Sequence, residues 1–288
     1  MKISTSLNIY SPFNIPYKEK IKRAHNCGFS VFDFNVCDRE NDFYNCDAWR
    51  ENIREIKKYA DSLGVTFYQT HAQMVRDDMN VQKTVSTESD AAIKKSIEAS
   101  AIAGAKWTAM HAFGIKDKGA RIERNIELLR PYAEFAREHG IGLAIENIPE
   151  RLYWYDEIVN DNNLSTADDL IAVVDVLNAE LGNVGVCWDT GHANLVDNLS
   201  QYDELKKLGK RLKITHINDN KNQNDDHLIP FYGSVDFYKI IQALREIEYE
   251  GTFNYEAHYF TSGLPEELVD DAVRFMYKVA LHLCGEDK

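Results

Sequence analysis

Cysteine is scarce and unpatterned in this chain. The five cysteines, Cys27, Cys37, Cys46, Cys187 and Cys284, are odd in number, scattered and without a Cys-x-x-Cys pair. This argues against a disulfide framework and a thiolate zinc site, and fits a reducing cytoplasm. No apolar run reaches the roughly 18 residues that a membrane-spanning helix needs. The opening Met1-Lys2-Ile3-Ser4-Thr5-Ser6-Leu7 lacks the apolar stretch and cleavage site of a signal peptide and reads as a first strand. Cytoplasmic location without membrane contact is therefore the expectation. Positive charge is also short: 33 Lys and Arg face 46 Asp and Glu, for a net charge of −13. No basic run is long enough to build a groove, so nucleic acid is not the expected partner. A Gly-rich phosphate turn is missing too, which weighs against a doubly wound dinucleotide-binding sheet.

What is present is a regular alternation. Eight apolar, β-rich segments, at 2–8, 30–35, 65–71, 107–111, 142–146, 184–189, 213–218 and 252–256, are each followed by a helical pattern. Pro16 opens the first helix and Gly28 closes it; Asp47 is the expected cap of the second, which Gly64 ends. Ser165-Thr166-Ala167-Asp168 has the form of a capping box with Asp in the last place, and later helices are expected at 201–208 and 235–247. The length of 288 residues suits one large unit, and no linker or composition shift divides it. Eight β-α repeats predict an α/β fold, a parallel sheet closed into a single-domain (β/α)8 barrel over 1–288. Within Gly142-Leu143-Ala144-Ile145-Glu146 the small residues share a face with Glu146, and in Thr252-Phe253-Asn254-Tyr255-Glu256 polar ones share it with Glu256. That alternation suits a barrel wrapped by helices, with bulky apolar residues facing outward.

The strand ends carry the chemistry. In order they supply His71, His111, Glu146, Asp189 with His192, His216 and Glu256, while the loop after the seventh strand adds Asp225 and His227. Six of the nine histidines lie at or just past a strand end, the face where such barrels place their sites. Taken singly, a histidine there is more often a hydrogen-bonded core or surface residue than a ligand. Asp189 alone could equally be a helix cap. Glu146 and Glu256 are harder to explain that way, because each ends an apolar strand on its inward face, where an unpaired carboxylate carries a desolvation cost. A divalent cation removes that cost. Long loops at about 72–87, 147–165 and 219–234 flank the same face, and Leu152-Tyr153-Trp154-Tyr155 offers rings that could stack on a sugar or simply cover the barrel.

Glu146-Asn147, Trp188-Asp189-Thr190-Gly191-His192 and the run His216-Ile217-Asn218-Asp219-Asn220 through Asp225-Asp226-His227-Leu228-Ile229-Pro230 resemble the xylose-isomerase-like (β/α)8 superfamily. It contains sugar and sugar-phosphate isomerases and epimerases and the endonuclease IV type of AP endonuclease. The resemblance spans nearly the whole chain. In its epimerases, residues matching Glu146, Asp189, His216 and Glu256 bind one divalent metal, and the two glutamates exchange a proton with the sugar carbon. In its endonucleases, His71, His111 and Glu146 match one zinc site; Glu146, Asp189, His216 and Glu256 match a second; His192, Asp225 and His227 match a third.

Two departures bear on the choice. Ala72-Gln73-Met74-Val75-Arg76 after His71 lacks the endonuclease segment, and the base after the seventh strand is Lys221 where many epimerases have Arg. The resemblance thus implies an isomerase or epimerase using Zn, Mn, Co or Mg, one ion per chain favoured and up to three allowed by the residues. Its substrate would be a small carbohydrate, contacted by Trp154 and Lys221; a zinc-dependent AP endonuclease is the alternative. Assembly into a homo-oligomer is left open.

Overall fold

Each strand read from the sequence is a strand in the structure, a computed structural model that describes residues 1–35, 43–74, 85–115, 117–149 and 164–285. They are β1 (Lys2–Ser6), β2 (Val31–Asp33), β3 (Thr66–His71), β4 (Trp107–His111), β5 (Gly142–Glu146), β6 (Val184–Asp189), β7 (Leu212–His216) and β8 (Thr252–Tyr255). The spans of β4, β5 and β6 agree with expectation to the residue. β1 is two residues shorter, because Ser6 turns from strand to cap: its hydroxyl accepts the Asn8 N–H at the start of a 3-10 turn, Leu7–Tyr10.

Between the strands lie α1 (Tyr17–Asn26), α2 (Trp49–Ser62), α3 (Thr87–Ala103), α4 (Arg121–Glu138), α5 (Ala167–Leu181), α6 (Thr190–Asn194), α7 (Gln201–Leu208), α8 (Phe237–Glu246) and α9 (Glu266–Cys284). Two of the expected caps are displaced. Asp47 does not cap α2; Ala48 holds the N-cap position and makes no side-chain bond, which leaves Asp47 one residue outside. The box proposed at Ser165 sits one residue later, where the Thr166 hydroxyl accepts the Asp169 N–H at 3.2 Å. α6 is an addition to the expected pattern, and it matters for the site.

The strands are parallel and run in the order β7-β6-β5-β4-β3-β2-β1-β8. The two ends meet: Ile217 N–H donates to the Asn254 carbonyl at 2.7 Å and Glu256 N–H to the Ile217 carbonyl at 3.0 Å. The sheet is therefore closed, a single-domain (β/α)8 TIM barrel. Closure removes the unpaired strand edges that an open sheet exposes.

Two apolar cores result. Leu143, Ile145, Val186, Phe253 and Tyr255 look outward and belong to the large core shared with the helices. Inside the barrel, Ala109, Ala144, Cys187 and Ile214 form a separate small cluster, with Tyr68 and Trp107 against it. Small residues are required there, since the lumen is narrow. Gly142 shows how narrow: a Cβ on it would lie 2.2 Å from Cε3 of the Trp107 ring. The indole takes the volume that this strand leaves open. Gly142→Ala should therefore overpack the barrel floor and lower stability by about 1–3 kcal/mol, read as a reduced urea midpoint with an unchanged denaturant slope. An unchanged midpoint would mean that the indole swings aside freely.

Candidate metal centre

The site stands on the last residues of β3 to β7 and the residue following β8. His71, His111, Glu146, Asp189 and His216 each end their strand, and Glu256 follows Tyr255. Their inward direction follows from the period of two along each strand: the residues two positions earlier, Ala109, Ala144, Cys187 and Ile214, are the small inner cluster. Side chains of Glu146, Asp189 and His216 are wholly buried, and Glu256 nearly so.

Glu146 lies at the centre. Its Oε2 is 3.2 Å from Nε2 of His71 and 3.5 Å from Nε2 of His111. Its Oε1 is 3.0 Å from Nδ1 of His216 and 3.5 Å from Nδ1 of His192. Burial opposes ionisation of this carboxyl, yet the imidazoles of His216, His111 and His71 hold it well below the usual carboxylate range. His216 Nδ1 also faces Glu256 Oε2 at 3.4 Å and Asp189 Oδ2 at 4.0 Å. Donor atoms of Glu146, Asp189, His216 and Glu256 all lie within 4.8 Å of one another, so these four could hold one cation.

The tautomers point the same way. His71 Nδ1 lies 2.7 Å from the Ala72 carbonyl, His192 Nδ1 2.8 Å from that of Asn147, and His227 Nδ1 2.7 Å from that of Glu256. A carbonyl only accepts, so Nδ1 carries the proton in each and the Nε2 lone pair is left inward. Those lone pairs meet carboxylates: Glu146 Oε2 for His71, and Asp225 Oδ2 at 3.4 Å for His192 and 2.9 Å for His227. Two acceptors at such distances need positive charge between them. A second proton supplies it in the bare protein: although burial opposes it, Asp225 raises His227 to about 10. A divalent cation would supply it equally well, and further donor sets are formed here, among them His71–His111–Glu146 and His192–Asp225–His227. Partial burial pushes His111 downward, which favours a neutral imidazole able to donate a lone pair.

Asp189 is a helix cap and also a member of the candidate donor set. It is the N-cap of α6, its Oδ1 accepting the His192 N–H at 2.7 Å. Its Oδ2 accepts from Asn218 Nδ2 at 2.7 Å, within the four-residue donor set. Burial lifts this carboxyl to about 7, against the pull of His192 and with Glu146 and Glu256 adding to the rise. The cap also explains His192, since one turn of helix brings that ring back over the same cavity.

Asparagines and one further acid hold the frame. The Asn147 amide brackets Asp189, accepting its N–H at 2.7 Å and donating to its carbonyl at 2.9 Å. Asp219, fully buried, accepts N–H groups from Asn220, Gly233 and Val235 at 2.8 to 3.0 Å, and its own backbone pairs with Leu228. This ties down the loop that carries Asp225 and His227.

All nine residues expected as ligands or substrate contacts thus gather at one mouth. Lys221 is exposed on the loop beyond Asp219, and Trp154 lies outside the described residues. Two residues escaped the sequence reading, Asp219 and Asp33. Asp33 ends β2 facing inward and is wholly buried. Burial lifts its carboxyl to about 6, with His216 pulling the other way. The signal was present, an acid ending an apolar strand as at Glu146, but the second strand was expected to run on to Asn35.

Comparison with known proteins agrees with this architecture. A D-psicose 3-epimerase of Enterocloster bolteae is 24% identical over 245 residues, 82% of this chain and 74% of that protein. The chain spans less of the first two curated relatives it matches, 43% of an uncharacterized protein of Methanocaldococcus jannaschii and 23% of one of Sinorhizobium fredii. Crystal structures of D-psicose 3-epimerase with D-tagatose from Clostridium cellulolyticum H10 superpose over 99% of both chains, with a TM-score of 0.75 at 17% identity. The IOLI protein with a binding zinc atom does so over 99% of both, with a TM-score of 0.76 at 16% identity. At those identities the likeness is one of fold. Among the described residues, no helix is long and apolar enough to cross a membrane. A family model for the xylose isomerase-like TIM barrel matches residues 21–279, nine-tenths of the length, and the chain belongs to that family.

Proposed function

We propose that this protein is a divalent-metal-dependent isomerase or epimerase of a sugar or sugar phosphate. The observation that carries the proposal is the meeting of Glu146 and Glu256 in one four-residue donor set with Asp189 and His216. Three carboxylates and one imidazole form an oxygen-rich set that suits Zn, Mn, Co or Mg, and their crowding is costly without a cation. The relatives add weight, since sugar 3-epimerases recur among proteins of this fold.

A cation bound there would polarise a carbonyl and neutralise charge developing on its oxygen, which acidifies the neighbouring C–H. One glutamate then takes the proton, and the other returns one to the opposite face of the same carbon or to the adjacent carbon. The first outcome is epimerisation and the second isomerisation. The two are unequal in this structure. Glu146 has no exposed surface and both oxygens face imidazoles, whereas the Glu256 side chain keeps 12% of its surface accessible. Glu256 is the more available base, and Glu146 is more deeply committed to the frame. His111, whose side chain is 31% exposed, is placed to meet sugar hydroxyls.

Glu256→Gln should lower turnover about 10²–10⁴-fold, the scale of a lost general base, while keeping metal. Glu146→Gln should lose metal along with activity. The assay is deuterium uptake from heavy water into a panel of ketoses and their phosphates, with metal content measured for each variant. Turnover without exchange would replace proton transfer by hydride transfer, and full activity in both metal-loaded variants would remove the glutamates from the mechanism.

A second reading has its own support. The donor sets His71–His111–Glu146 and His192–Asp225–His227, added to the first, suit a three-metal phosphodiesterase acting on abasic DNA. The acidic balance of −13 opposes it. Elemental analysis separates the two: about one metal per chain supports the isomerase, and about three the nuclease. Binding to abasic duplex should be weak and collapse with modest salt; tight nicking at physiological salt would promote the second reading.

A further inference from the structure

Beneath the donor set, one side of the barrel lumen is lined with polar side chains whose hydrogen bonds do not close. Ser4 Oγ, Asp33 Oδ1, His216 Nε2 and Asn254 Oδ1 are buried without a hydrogen-bond partner. They are neighbours by register: Ser4 pairs with Asn254 across β1 and β8, and Asp33 pairs with Gln69 one step below His71. The other Asp33 oxygen, Oδ2, accepts long bonds from Asn254 Nδ2 at 3.3 Å and Gln69 Nε2 at 3.4 Å, and lies 3.9 Å from His216 Nε2. Gln69 cannot turn to serve as an acceptor for His216. Its Oε1 accepts from Thr252 Oγ1 at 2.7 Å, and its Nε2 is shared between Asp33 and the Thr215 carbonyl.

His216 has one proton to place when neutral. Its Nδ1 faces Glu146, Glu256 and Asp189, so giving that lone pair to a cation leaves the proton on Nε2. There the carboxylate of Asp33 is the facing acceptor. The separation of 3.9 Å exceeds a direct hydrogen bond, and one shared water or a small ring shift spans it.

We propose that Asp33 is a positioning residue of the metal centre, its carboxylate receiving the Nε2 proton of His216 and thereby fixing that ring's tautomer and strengthening Nδ1 as a ligand. The proposal rests on the reading of Glu146, Asp189, His216 and Glu256 as a cation site. It assigns a function to a buried acid that the proton-transfer chemistry does not use. Outer partners of this kind commonly set metal affinity within about 10–100-fold.

The test is a Co²⁺ titration of chelator-stripped protein, followed by visible absorption and by competition with a chelator, for wild type, Asp33→Ala and Asp33→Asn. Asp33→Ala should weaken cobalt binding about 100-fold and change the visible bands. Asp33→Asn keeps the size and one acceptor oxygen and should recover part of the affinity, ending about 10-fold weaker than wild type. If Asp33→Ala fails to fold, Asp33→Asn decides alone. Folded variants with wild-type affinity and spectrum would overturn the proposal, whatever their thermal stability. Wild type that binds no cobalt would instead overturn the cation site itself, and the Asp33 proposal with it.

Discussion

Four carboxylates in one cavity are the constraint on which the rest of the structure depends. Glu146, Asp189, Asp225 and Glu256 gather with five imidazoles at the C-terminal mouth of the barrel, and most of them are out of water. Carboxylates at such distances repel one another strongly in a low-dielectric site, so some positive charge must sit among them. Protons do this at a cost visible in several groups: burial brings Asp189 up to about 7, and Glu146 and Glu256 raise His216 to about 9 despite burial. A cavity in which acids and bases both leave their ordinary ranges is one whose strain a bound cation would relieve. That is the physical content of the metal reading, and it precedes any likeness to relatives.

The scaffold is organised to withstand this repulsion. Backbone groups and amides, which cannot change charge, hold the acids in place: Asn147 clamps the main chain of Asp189, Asn218 its carboxylate, and Asn220 donates to the Gly191 carbonyl at 2.8 Å. Gly191 is glycine for the same reason, since a Cβ there would lie 1.7 Å from Asn218 Oδ1. Asp219 gathers the β7–α8 connection by three backbone N–H bonds, and that connection carries Asp225 and His227. That connection is therefore pinned close to the strand end it leaves, and its histidine keeps a defined tautomer.

Much of this was legible in the sequence, and the reasons it was legible are local. Val184-Gly185-Val186-Cys187-Trp188-Asp189 reads as a strand because its apolar run is bounded by glycine on both sides, and its ends agree to the residue. Glu146 and Glu256 announced themselves because an inward acid closing an apolar strand has no cheap explanation. What escaped depends on three-dimensional register. Asp33 lies level with Gln69, one layer below His71, because the register between β2 and β3 shifts between Phe32 and Asp33, which no single strand reveals. Asp219 works through backbone donors fourteen and sixteen residues away, groups that every residue but proline carries and no pattern marks. The cap at Ala48 in place of Asp47 is the opposite case, a strong local preference overridden by the path of the incoming chain.

The lumen below the site is divided, and the division bears on how the ligands are tuned. Under β4, β5, β6 and β7 the floor is apolar, Ala109, Ala144, Cys187 and Ile214. Under β8, β1, β2 and β3 it is polar, with Thr252, Asn254, Ser4, Asp33 and Gln69 all buried. Apolar residues of similar size would fill the second half with no unpaired atoms, so stability alone does not account for it. His216 stands at the boundary, with Nδ1 toward the carboxylates and Nε2 toward the polar half. Glu146 stands over the apolar half, with the imidazoles of His71 and His216 at its two oxygens. The same barrel therefore sets its central carboxylate over an apolar floor, and sets His216 between the carboxylates on one side and a polar floor on the other.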